Sequence, residues 1–226
     1  MSEQDQTISS LLPEPVFSQI QRHLMSAGYR AEEGFPSSEE DEDSLSGDMF
    51  RALRRGTQKS RLNMGWDWTV TTRKFRGRGE GATEHLIGAD GIVQIEIRSS
   101  DSRIFRKGVL FQAKKNWRHR DAVLVGQARL MEECAPGGSA VFNYERDRYT
   151  ASTSPQVILS GGSPREFKAQ RLGEFLADEF LGCKVGRRDT FYDWEQGTLV
   201  LPNLPPSFLK LHPRFVTAIQ VERTVT

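Results

Sequence analysis

Two runs between residues 91 and 115 constrain what this chain can fold into more than anything else in it. In Ile92-Val93-Gln94-Ile95-Glu96-Ile97, residues Val93, Ile95 and Ile97 fall on one side and Gln94, Glu96 and Arg98 on the other, which is the two-residue period of a strand. Val109-Leu110-Phe111-Gln112-Ala113-Lys114-Lys115 alternates as well: Gln112 and Lys114 share one face, while Val109, Phe111 and Ala113 share the opposite one. Ser99-Ser100-Asp101-Ser102 between the runs is turn chemistry. The expected hairpin carries Asp90, at the mouth of the first strand, back alongside Gln112 and Lys114 of the second.

Around this hairpin the spacing predicts helices at 15–27, through Val16, Ile20, Leu24 and Ala27, and at about 45–55, through Leu45, Met49 and Leu53. Strands are expected at about 66–76, 91–98 and 107–115, a helix at 119–133, and further strands at 139–144, 157–159 and 219–222. A helix over 164–181 follows from the stripe Phe167, Leu172, Phe175, Leu176 and Phe180, with Ser163 placed to cap it. Trp66, Trp68 and Val70 alternate with Asp67 and Thr69 and read as one buried strand face. This order predicts an α/β fold with a central mixed sheet flanked by helices. A chain of 226 residues with 37% hydrophobic content fills one sizeable core, so residues 1–226 are expected to form a single domain. It would carry a flexible tail at 1–14, an acidic loop at 32–44 and a Pro- and aromatic-rich C-terminal extension at 183–226.

The side chains gathered by the hairpin are oxygen donors and a lysine. Mg²⁺ prefers oxygen ligands and keeps several waters, so a small protein share suffices: the Asp90 carboxylate, the Gln112 amide oxygen and the Ala113 backbone carbonyl. A lysine beside such an ion stabilises charge developing on a phosphoryl group, and Lys114 stands in that position. Lys115 points away from Lys114 and suits a phosphate contact.

Asp90 followed by Gln112-Ala113-Lys114 resembles the PD-(D/E)xK nuclease superfamily, in the variant where glutamine replaces the acidic residue of the last element. Glu84 also matches: in members linked to bacterial anti-phage defence a glutamate precedes a Gly-x-Asp turn, as in Thr83-Glu84-His85-Leu86-Ile87-Gly88-Ala89-Asp90. The resemblance covers roughly residues 80 to 130. The proline ahead of the aspartate is absent, and Met131 stands where a tyrosine would complete the Gln-x-x-x-Tyr element that starts at Gln127. The resemblance implies a restriction-endonuclease-like core and a Mg²⁺-dependent endonuclease, with Mn²⁺ as a substitute, acting on DNA rather than RNA. It implies Asp90, Gln112, Lys114 and Glu84 as catalytic residues, with Asp90, Gln112, Ala113 and Glu84 at the metal. It further implies an antiviral effector that works with a sensor or ATPase protein and as a homo-oligomer. Two other readings stay open: a non-catalytic nucleic-acid-binding module, and an interaction subunit of a larger complex that retains the nuclease fold.

Charge is informative in its distribution. The net charge is +1, yet acidic residues crowd 32–48 and basic ones 51–78. Arg73, Arg76, Arg78, Lys115 and Arg118 are the candidate nucleic-acid contacts, since local patches matter more to phosphate binding than the total. Cys134 and Cys183 give neither a bridge framework nor a zinc spacing, and His85 has no partner at such a spacing. The first residues lack a signal-peptide pattern and no apolar run is long enough to span a bilayer. A cytoplasmic protein without membrane attachment is the expectation.

Overall fold

The computed structural model describes residues 7–38, 41–54, 65–75, 83–99, 103–204 and 210–224. Nine strands occur among them: β1 (Trp66–Lys74), β2 (Gly91–Arg98), β3 (Ile104–Lys115), β4 (Ser139–Glu145), β5 (Arg148–Thr153), β6 (Gln170–Arg171), β7 (Phe191–Asp193), β8 (Thr198–Val200) and β9 (Phe215–Arg223). Seven build one mixed sheet in the order β1-β9-β2-β3-β4-β5-β6, and β7 and β8 form a separate small hairpin. Within the large sheet β2 runs antiparallel to β3 and parallel to β9, and β3 runs parallel to β4.

Helices cover both faces, which is why β2 is buried nearly end to end. On one face α2 (Glu14–Glu33) and α4 (Glu42–Arg54) pack their apolar stripes onto Val93, Ile95, Ile97 and Phe111. On the other, Leu124, Ala128 and Met131 of α6 (Ala122–Cys134) meet Ile92, Leu110, Val141 and Val216. Asp121 caps α6, its carboxylate accepting from the Leu124 N–H at 2.9 Å. The two faces of β3 are therefore those of the hairpin pattern: Phe111 and Ala113 toward α4, Leu110 toward α6.

Five expectations need correction. Residues 8–11 form a short helix, α1, and Ile8 and Leu12 are buried, so 1–14 is not all a loose tail; residues 1–6 lie outside the described set. The described residues of 32–44 belong mostly to helices, the end of α2, a short helix α3 (Phe35–Ser38) and the first turn of α4, while residues 39 and 40 of the expected acidic loop lie outside the described set. Residues 157–159 end a helix, α7 (Ser154–Leu159), not a strand.

Residues 164–181 are not one helix: Gln170–Arg171 pair with β5, after which α8 (Leu172–Glu174) runs on into a π-helix (Phe175–Phe180). The physical reason lies in the sheet. Phe167 packs in the α6-side core and Leu172, Phe175 and Phe180 in the α4-side core, and no single helix reaches both faces. Finally, 183–226 is no appendage, because β9 is a central strand between β1 and β2.

Lys107 of β3 is buried, donates to the Phe180 carbonyl and lies 4.8 Å from the centre of the Phe180 ring. Burial pulls its pKa down to about 8, with the Cys183 thiol acting in the opposite direction. The folded value lies below the ordinary one, so the unfolded chain binds more protons between about pH 8 and 10.5, and stability rises with pH across that window. Lys107→Met is expected to stabilise the protein at pH 7 by about 1–3 kcal/mol, with the gain shrinking toward pH 10. Urea unfolding at both pH values measures it, and a gain that stays constant would contradict a charged amine as its source.

Candidate active site

The site begins where β2 stops. The pairing of β2 with β3 starts at Gly91 opposite Phe111, so Gln112 to Lys115 run on past it. In a strand the N–H and C=O of one residue point to the same edge, and alternate residues share that edge. Gln112 and Lys114 sit opposite Val141 and Asn143 of β4. On the β2 side, carboxylates replace the missing strand. Asp90 Oδ2 accepts from the Ala113 N–H at 2.9 Å, and Glu42 Oε1 accepts from the Lys115 N–H at 3.0 Å. Two residues of extended chain separate these donors by about 7 Å.

Asp90 is fixed from both directions. Its N–H donates to the Phe111 carbonyl at 2.9 Å and its carbonyl accepts from the Phe215 N–H at 3.1 Å. Ahead of it, Gly88 adopts φ +73°, and a Cβ there would lie 2.2 Å from the Gln127 carbonyl oxygen on α6. Only glycine allows both the left-handed turn and the close approach. The turn that aims Asp90 is thus clamped onto α6.

Gln112 is 2% exposed. Its Nε2 donates to the Ala113 carbonyl at 3.2 Å, while its Oε1 is buried without a hydrogen-bond partner. An orphaned buried acceptor costs about 1–3 kcal/mol. Since the N–H and C=O of Ala113 share an edge, the Asp90 carboxylate and the Gln112 amide engage the same edge of this one residue, through its two successive peptide groups. Lys114 shares the Gln112 face, and its Nζ lies 3.8 Å from Oδ2 of Asp121, the cap of α6.

Further charges stand on the α4 side. Arg214, just before β9, reaches Asp43 Oδ1 at 2.5 Å and lies 3.6 Å from Asp90 Oδ1. Lys74 Nζ is 3.6 Å from Asp43 Oδ2. The buried Tyr144 hydroxyl is driven well above its ordinary pKa, first by burial; the Ser46 hydroxyl opposes this, and the Tyr149, Asp90 and Glu42 charges add to it.

Asp90, Gln112 and Ala113 thus meet along one strand edge, while the Lys114 side chain, on the Gln112 face, is directed to Asp121. Glu84 belongs to α5 (Thr83–Ile87), but its side chain lies outside the described residues, as do Arg76 and Arg78. Arg118 is exposed, 3.9 Å from Glu145, and Arg73 is exposed over Phe75 and Trp194. Lys115 is half-buried. Sequence reasoning missed Glu42, Asp43 and Arg214. A signal existed for the first two: acidic residues just ahead of an apolar stripe mark a helix start, and Asp41 Oδ1 does accept from the Ser44 N–H at 2.7 Å. Among the described residues no three Asp, Glu, His or Cys side chains form a group able to hold a metal. The oxygen donors at the edge are instead two carboxylates, one amide and one peptide carbonyl.

Comparison of the chain with models of known families, with curated proteins and with solved structures found no match. Among the described residues no helix is long and apolar enough to cross a membrane.

Proposed function

We propose that this protein is a divalent-metal-dependent phosphodiesterase acting on nucleic acid, DNA in preference to RNA, with a restriction-endonuclease-like core. The observation that carries the reading is the buried, unpartnered Oε1 of Gln112, an amide held on the same edge of Ala113 that the Asp90 carboxylate engages. A hard cation takes oxygen ligands of this kind, and an orphaned amide oxygen is the sort of group it would satisfy. Asp90, Gln112 and the Ala113 carbonyl would hold Mg²⁺ or Mn²⁺, with Glu42 the nearest additional carboxylate on the same strand edge. The ion, when bound, supplies Lewis-acid polarisation of the phosphoryl oxygens.

The chain's own residues do the rest. Lys114 brings an ammonium group to the face on which Gln112 lies, where it can donate to a phosphate oxygen as negative charge grows there. Asp121 orients that amine from the start of α6. Gln112 in place of a carboxylate removes one negative charge, which favours a single ion over a pair. Arg118, Lys115 and Arg73 supply the cations for neighbouring phosphates.

A second reading, a nucleic-acid-binding or interaction module without catalysis, draws support from the same charges. Asp90 already has Arg214 within 3.6 Å, and the Lys114 amine is turned to Asp121. Incubation with plasmid DNA and with RNA, in Mg²⁺ or Mn²⁺ and in EDTA, separates the two. Metal-dependent cutting is expected, and its loss in Lys114→Ala; salt-sensitive binding without cutting would replace the first reading by the second.

A further inference from the structure

Arg214 occupies an unusual place. Its guanidinium lies 2.5 Å from Asp43 and 3.6 Å from Asp90, so one cation bridges the first turn of α4 and the carboxylate at the mouth of β2. The side chains of Asp43 and Asp90 are only 15% and 6% exposed, and that of Arg214 24%. Charges so shielded from water act on one another strongly. A divalent ion at Asp90 would therefore meet a positive charge within a few ångströms of its ligand. The closer bond is to Asp43, which also holds Lys74, so Arg214 can loosen from Asp90 without losing its main partner.

We propose that Arg214 is a place-holding cation: it neutralises Asp90 until a phosphodiester draws the guanidinium away, so that metal and nucleic acid load together. The proposal rests on the metal-dependent reading above. A guanidinium matches a phosphate in geometry and charge, and that of Arg214 lies 3.6 Å from the carboxylate that the ion needs. By linkage, a substrate that strengthens metal binding in this way is itself bound more tightly when metal is present.

The test is Mn²⁺ affinity by calorimetry on the full chain, alone and with a phosphorothioate oligonucleotide that resists cleavage. Arg214→Gln is expected to bind Mn²⁺ about ten-fold more tightly than wild type in the absence of nucleic acid, and to gain less from the oligonucleotide. Arg214→Lys, which keeps the charge, should stay close to wild type. Asp43→Asn works in the opposite direction: deprived of its main partner, Arg214 turns to Asp90, and Mn²⁺ binding weakens. That variant keeps the proposal falsifiable if Arg214→Gln fails to fold. Unchanged or weaker Mn²⁺ binding in Arg214→Gln, or unaltered binding in Asp43→Asn, overturns the proposal. If this happens while Asp90→Asn still abolishes binding, the metal reading survives and the place-holding role alone is lost. If no Mn²⁺ binds to wild type or to any variant, both are lost.

Discussion

Lys114→Ala is expected to lower metal-dependent phosphodiester cleavage by about 10²–10³-fold, the usual cost of deleting one preorganised donor to transition-state charge. The loss should appear in kcat more than in KM, because the ammonium acts on charge that is absent from the ground state. Asp90→Asn should be at least as damaging, and for a separable reason. The asparagine amide oxygen can take the place of Oδ2, which accepts the hydrogen bond from the Ala113 N–H at 2.9 Å, so the strand edge stays in place while the anion disappears. Melting close to wild type together with lost cleavage is the expected pair of results for Asp90→Asn. Cleavage that persists in both variants would remove this edge from the chemistry.

Gly88→Ala should be strongly damaging to the fold. The left-handed turn at φ +73° penalises any side chain by about 1–2 kcal/mol. The new methyl would also collide with the Gln127 carbonyl at 2.2 Å, and overpacking of that kind adds about 1–3 kcal/mol. A loss of about 3 kcal/mol lowers the melting temperature of a domain this size by about 6–12 °C. Thermal unfolding measures it directly. Melting equal to wild type would mean that the turn does not bear on α6.

What could be read from the sequence was mostly what depends on nearest neighbours. The alternation in 91–98 and 107–115 fixed both strands and their faces, because side-chain direction along a strand follows residue number alone. The same logic placed Trp66 and Trp68 in the core, where both are buried. Partners across the sheet were not legible. Ile219 to Glu222 reads as a strand, yet nothing local tells that it lies between β1 and β2 and so brings Arg214 to Asp90.

Glu42 was hidden for a different reason. An acidic run looks like solvated loop until α4 is docked, when its first turn meets the main chain of Lys115. The helix expected over 164–181 failed because its apolar stripe serves two cores on opposite faces of the sheet. Periodicity reports that residues are buried without saying on which side.

The central claim, an oxygen cage at the Ala113 edge, is tested most directly by titrating Mn²⁺ into wild type and Gln112→Leu. Leucine fills a similar volume and removes the unpartnered Oε1 together with the Nε2 donor to the Ala113 carbonyl, two changes of opposite sign, so the variant protein should stay close to wild type in stability before any ion is added. Saturable Mn²⁺ binding in wild type, with marked weakening in Gln112→Leu despite that intact fold, is the predicted result. Equal affinity in the two proteins would contradict the account.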